Sequence, residues 1–370
     1  MVYMDHAATT PVMPEVLSRM LPYFTDRFAN ASGTYAAARE ARAAIDRARA
    51  QVAQLIGAKP EEIYFTSGGS ESDNWAISGV LRASDTDKRR VVTTAIEHHA
   101  VLHSCEAMTR QGYAATLAGV TPDGLADPES VGQALTPDTA LLSVMLANNE
   151  TGSIQPVAEL SGLAHVLGIP VHTDAVQAVG HIPVDVGALG VDLLSMSAHK
   201  FGGPKGIGAL YVRSGTRIDR LIAGGAQERG LRAGTENTTA IVGMGEAARM
   251  AQERLEQNMR HITALRDELI GKLATIPGVT VNAIRAPRLP GHVHLTIQGA
   301  DSAMLLMRLD MQGIAASAGS ACTSGAVTRS HVLAAMGAPE GADLRLTLGA
   351  ENTREEVERV VAALRTILKR

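Results

Sequence analysis

Short β-rich runs at Glu62–Thr66, Val91–Thr94, Ala140–Leu146, Pro170–Thr173, Leu193–Ser197 and Ala209–Val212 alternate with stretches of helical character. Strands joined through helices lie side by side by crossover rather than by hairpin, which makes them parallel and puts helices on the faces of the sheet. The runs are almost wholly apolar, as strands buried on both faces must be. Upstream, Ala41, Ile45, Ala48, Val52 and Leu55 recur at steps of three and four before Gly57, so an amphipathic helix spans about 36–57. The expected fold class is α/β with a mainly parallel sheet.

After Thr235 the pattern changes. A long helical stretch, roughly Ala240–Ile276, is followed by strand-like runs at Gly278–Asn282, His292–Ile297, Ile314–Ser317 and Asp343–Leu348, and by a closing helix opened by the capping box Thr353-x-x-Glu356. The expected organisation is a large α/β domain over 14–250 and a smaller α+β domain built from 1–13 and 251–370. The Ala-, Ser-, Thr- and Gly-rich stretch Ala321–Ser330 is expected to be a mobile loop of the smaller domain.

Of 370 residues, 45% are hydrophobic and 19% charged, which is a globular balance with ample core. Thirty-four basic side chains against 38 acidic ones give a net charge of −4, so nothing draws the chain to nucleic-acid phosphates or anionic lipid. Four Phe, one Trp and six Tyr are too few for base-stacking platforms. A small-molecule substrate is the better expectation. No apolar run reaches membrane-spanning length and the first residues lack a signal-peptide pattern, so a cytoplasmic location is expected. Cys105 and Cys322 are too few for a disulfide framework; Cys105, within a helical pattern, reads as a small buried hydrophobe. His292 and His294 alternate on a strand without a third residue at ligand spacing, and Met304, Leu305, Leu306 and Leu309 read as the core stripe of a helix.

The chemistry gathers at strand ends. Thr66-Ser67-Gly68-Gly69-Ser70-Glu71-Ser72 places glycines and hydroxyls between a strand and a helix, either as a phosphate cradle or as a tight turn with a Ser cap. Lys200 leaves a strand just before Phe201-Gly202-Gly203-Pro204-Lys205-Gly206, and a lysine at that edge can form a Schiff base with an aldehyde cofactor. Asp174 ends another strand, where a carboxylate could pair with a protonated ring nitrogen or cap a helix. His98, in Glu97-His98-His99, could stack on a ring and move protons near neutral pH. Asn148-Asn149-Glu150 ends a further strand with amides suited to a phenolic oxygen, or with a polar turn.

In this order, Tyr3-Met4-Asp5-His6-Ala7-Ala8-Thr9-Thr10-Pro11, Thr66–Ser72, Glu97-His98, Asn148-Asn149-Glu150, Asp174-x-x-Gln177, Ser197-x-His199-Lys200 and Ser317-Ala318-Gly319-Ser320-Ala321-Cys322-Thr323-Ser324 cover nearly the whole chain. The series resembles the pyridoxal phosphate (PLP)-dependent cysteine desulfurases, and its cysteine segment is similar to their long-loop group. The resemblance implies PLP fold type I. It also implies that Lys200 carries PLP, that Asp174 meets the ring nitrogen, that His98 stacks on the ring, and that Asn149 and Gln177 contact the phenolic oxygen. Gly69, Ser70, Ser197 and His199 would hold the phosphate together with Thr235 from a second subunit, so a homodimer is implied. Arg345, with Asn149, would bind the substrate carboxylate, a task suited to a planar guanidinium. Lys200, His98 and Cys322 would be catalytic, turning L-cysteine into L-alanine while Cys322 takes the sulfur as a persulfide. The persulfide would pass to an acceptor protein for iron–sulfur clusters, tRNA thiolation or another thio-modification. Another fold type I enzyme, such as a selenocysteine lyase, β-lyase or aminotransferase, would not need Cys322, and a non-catalytic assembly protein would not turn over; substitution of Cys322 and the cofactor's absorbance separate these readings.

Overall fold

The structure, a computed structural model, describes residues 1–85, 87–319 and 329–368. Its strands are β1 (Val2–Tyr3), β2 (Ile63–Thr66), β3 (Arg90–Thr94), β4 (Ala114–Ala118), β5 (Thr139–Ser143), β6 (Val171–Asp174), β7 (Leu193–Ser197), β8 (Gly208–Val212), β9 (Val279–Val281), β10 (His292–Ile297), β11 (Ile314–Ala315) and β12 (Ala342–Thr347). Seven of them form one sheet in the order β2-β8-β7-β6-β5-β3-β4. All its pairings are parallel except those of β8, which runs against both β2 and β7. β2, β3, β5, β6 and β7 therefore end on the same edge.

Alternation within each strand covers both faces. Val92, Leu142 and Leu194 join the core beneath the Ala36–Leu55 helix and the start of the Thr238–Leu273 helix, while Val91, Leu141 and Leu193 pack with Trp75, Val101 and Met108 on the other face. Cys105 is in this second cluster, 3% exposed, and burial pushes its thiol up to about 12, so it is an inert core residue.

A three-stranded antiparallel sheet, β12-β10-β9, has its own core with Val2, Met4, Leu265, Leu269 and Val361. The Thr238–Leu273 helix contributes Met244, Ala247 and Ala248 to the large sheet's core and Ile262, Leu265 and Leu269 to this one. β1 pairs with β11, so the chain's start is tied to its last third. The capping box forms as read: Thr353 N–H donates to Glu356 and Glu356 N–H to Thr353 Oγ1. Two expectations need correction. β4 was not foreseen, because Ala114–Ala118 is only half-buried and mixes small and polar residues. In the Ser302–Asp310 helix Leu305 and Leu309 are buried but Met304 is 46% exposed, so the apolar stripe is narrower than its composition. His292 and His294 are both buried on β10. Among the described residues no helix is long and apolar enough to cross a membrane.

Candidate active site

The common strand edge gathers the candidate side chains. Lys200 ends a one-turn 3₁₀ helix directly after β7, and its Nζ donates to the carbonyl of Ala7 and, at 3.0 Å, to that of Ala8. The turn closes tightly: a Cβ on Gly203 would lie 2.9 Å from the Ala198 carbonyl oxygen. Asp174 ends β6 and accepts the Val176 N–H at 2.9 Å. After β2, Gly68 and Gly69 open the Gly69–Ala83 helix, whose free N–H groups face the edge. Gly69 must be glycine because a Cβ would stand 2.6 Å from Val176 Cγ2. From β8, Gly208 lets this turn approach, since a Cβ there would lie 2.7 Å from Gly68 Cα.

His98 caps the His99–Thr109 helix, its Nδ1 accepting the Ala100 N–H at 3.1 Å. Burial, and then the charge of Lys200, push its imidazole down to about 4. It is therefore neutral near pH 7, and the Nδ1 contact leaves its proton on Nε2. Glu97 seats this segment: both carboxylate oxygens accept the Met145 N–H and one accepts the Thr94 hydroxyl at 2.6 Å. Asn148 Oδ1 takes two backbone N–H groups of the following turn, which leaves the Asn149 side chain for the cavity. His199, also pushed down to about 4 by burial and Lys200, lies 3.1 Å from Thr9 Oγ1.

Gly69, Ser70, His98, Asn149, Asp174, Gln177, Ser197, His199 and Lys200 all line one cavity of about 230 Å³. Two expected residues do not. Thr235 is exposed and away from it. Arg345, on β12, is 5% exposed; its Nη2 pairs with Asp5 Oδ1 at 3.0 Å and its Nη1 donates to the Asn149 carbonyl at 3.0 Å. Asp5 is held in turn by the Ser317 hydroxyl at 2.8 Å. Gln177 Nε2 donates to the Ala7 carbonyl, which also accepts from Lys200. Cys322 lies outside the described residues. The lining also includes Asp73, which the sequence reading passed over. Its place, four residues after Gly69 and three after Ser70 on one helix face, was the available signal.

The donor set fits PLP. An amine stands at one end, a buried carboxylate and a neutral ring stand beside it, and a helix N-terminus with Ser70, Ser197 and His199 offers anion-binding groups.

The model of the aminotransferase class-V family matches residues 2–360, and the chain belongs to that family of PLP-dependent enzymes. Within it the chain stands among the cysteine desulfurases. It is 47% identical to cysteine desulfurase IscS of Methanosarcina thermophila, over 100% of this chain and 92% of that one. It is 43% identical to an IscS-like cysteine desulfurase of Mycobacterium tuberculosis, over 98% and 95%. Among solved structures, a NifS-like protein superposes with a TM-score of 0.94 at 35% identity, covering 100% of this chain and 99% of that one. SspA in complex with cysteine superposes at 0.83 with 34% identity, covering 95% and 100%.

Proposed function

We propose that this chain is a cysteine desulfurase that converts L-cysteine to L-alanine and passes the sulfur, through a persulfide on Cys322, to an acceptor protein. The observation that carries the reading is the convergence of Lys200, Asp174 and neutral His98 on one cavity at the strand edge.

PLP, when bound, supplies an electron sink in conjugation with the substrate's Cα. Asp174 would hold the ring nitrogen, His98 would cover the ring face, Asn149 and Gln177 would meet the phenolic oxygen, and Gly69, Ser70, Ser197 and His199 would hold the phosphate. Arg345 and Asn149 bind the substrate carboxylate. Lys200 Nζ, already among backbone acceptors at the cavity's end, would anchor the cofactor's aldehyde and act as the base at the substrate's Cα. His98 Nε2–H is the cavity's neutral proton donor. The Cys322 thiolate attacks the substrate sulfur; the Cβ–S bond breaks, an S–S bond forms, and protons return to carbon. One cysteine and one thiol thus give one alanine and one persulfide.

Thr235, exposed on its own chain, is available to a neighbouring cavity, and Leu21, Phe24, Phe28 and Tyr35 are exposed apolar side chains near the start of the chain. Both support a homodimer. The division into 14–250 and the remainder, and a cytoplasmic location, belong to the same proposal. The test is alanine and persulfide formation from L-cysteine by the purified protein beside Cys322→Ser. The expected result is both products from the native chain and neither from the variant with PLP absorbance retained; equal behaviour would remove Cys322 as acceptor and favour a lyase or aminotransferase.

A further inference from the structure

Asp73 has no part in the mechanism above, yet it is among the most enclosed polar groups of the cavity wall. It is 1% exposed, and its Oδ1 has no hydrogen-bond partner. A carboxylate oxygen of Asp73, one of Asp174 and a ring nitrogen of His98 lie within 4.8 Å of one another. Enclosure at that separation disfavours ionising both carboxyls, because each charge loses its water and repels the other.

The surroundings decide which of the two is neutral. Burial lifts the Asp174 carboxyl to about 6, but the Val176 N–H it accepts and the charge of Lys200 both favour its anion. Asp73 has less. Facing it from β6 is His172, whose Nε2 is 3.6 Å from Oδ1. That imidazole cannot supply a counter-charge: it is fully buried, burial pushes it down to about 3, and its nitrogens already meet Ser143 Oγ at 2.8 Å and Ser195 Oγ at 3.0 Å. From β7 the Ser195 hydroxyl is the remaining donor. Glu97, before the His99–Thr109 helix, is itself buried with its carboxyl pushed up to about 8. His98 is neutral, and no described lysine or arginine pairs with Asp73.

We infer that Asp73 is a positioning residue that holds the single proton of the Asp73–Asp174 pair and so leaves the negative charge on Asp174, where it faces the cofactor's ring nitrogen. The inference rests on the reading of Asp174 as that nitrogen's partner. With Asp73 neutral, Asp174 keeps its charge in a site that excludes water; a charged Asp73 would push a proton onto one of the two. A neutral acid at Asp73 can be replaced by an amide of the same shape, whereas Asp174 cannot.

The experiment is infrared spectroscopy of the PLP-loaded protein at pH 7 with the aspartate side-chain carboxyls ¹³C-labelled, which leaves buried glutamates out of the isotope difference. The native protein should show a protonated-carboxyl C=O band that is lost in Asp73→Asn. PLP affinity of the apoprotein and the pH midpoint of the visible absorbance should stay within about threefold and near native in Asp73→Asn, while Asp73→Ala weakens PLP binding by roughly tenfold as a void opens beside Asp174. Asp174→Asn should displace the absorbance midpoint. No protonated aspartate band in the native protein overturns the inference even if Asp73→Asn does not fold, and so does a band that survives in a folded Asp73→Asn. A native absorbance midpoint in Asp174→Asn removes the underlying reading of Asp174 instead.

Discussion

The two walls that meet at Asn149 are built on opposite principles. The wall from the seven-stranded sheet is the open one, where several polar groups stand without a counter-charge: His98 and His199 are uncharged, Asp73 Oδ1 has no partner, and Ser70 and the helix N-terminus line the cavity. The wall from the chain's start and β12 is backed by an ion pair, with Arg345 divided between Asp5 and the Asn149 carbonyl and Asp5 held by Ser317, although Arg345 Nε has no partner. The difference separates a resident group from a visiting one. A cofactor that stays can compensate the polar groups around it. A buried guanidinium waiting for a substrate carboxylate needs a counter-charge in the meantime, because an unpaired enclosed charge is costly. Asp5 supplies it, and under the proposed function the substrate carboxylate would take its place on Arg345.

Four measurements would break or sharpen this contrast. Lys200→Ala removes the amine of the open wall; alanine formation should fall by about 10³-fold or more, with PLP lost on dialysis, and retained turnover would mean that another group is the base. Arg345→Ala acts on the ion-paired wall and should raise KM for L-cysteine by about 10–100-fold with a smaller change in kcat, the loss of one charge-assisted pair. Arg345→Lys should recover only part of that, for want of the planar fork, and a changed kcat with constant KM would place Arg345 outside substrate binding. Asp5→Asn should lower KM by about two- to fivefold, since the competitor for Arg345 is weakened, while lowering unfolding stability by about 1–3 kcal/mol in a urea titration. A higher KM would show that Asp5 orients the arginine rather than competing for it.

The smallest effect is expected at Glu97, which seats His98 without touching the cavity. Burial lifts its carboxyl from 4.5 to about 8, so between those values the folded chain binds more protons than the unfolded one. Its contribution to stability should therefore fall as pH rises through that window. Glu97→Gln should flatten this part of the stability-against-pH curve, and an unchanged slope would show that Glu97 is ionised in the fold.

Much of this was legible in the chain itself. The runs at β7 and β10 were read with the bounds they have, and β2, β3, β6, β8 and β12 within a residue or so, because each is a short run rich in aliphatic or β-branched residues. β4, at the sheet's edge and half-buried, lacks that signal. Lys200, Asp174, His98 and Asn149 were visible because each stands just past a strand, the edge where open α/β sheets bind ligands. Asp73 was marked only by sharing a helix face with Gly69 and Ser70, and that spacing does not reveal that a helical aspartate is enclosed. Arg345 was visible as a residue but not in its state, because its partner Asp5 lies 340 positions away.

What the sequence alone determined is the order of elements and the chemical type of side chain at each strand end. Both follow from local periodicity and from where a strand must stop. What only the tertiary structure decided is which of those groups carry charge. Asp73 is pushed up by burial and by Asp174, His98 down by burial and Lys200, and Arg345 is matched by Asp5. Protonation depends on lost water and on neighbours brought in by the fold, and neither is written in the residues beside each group.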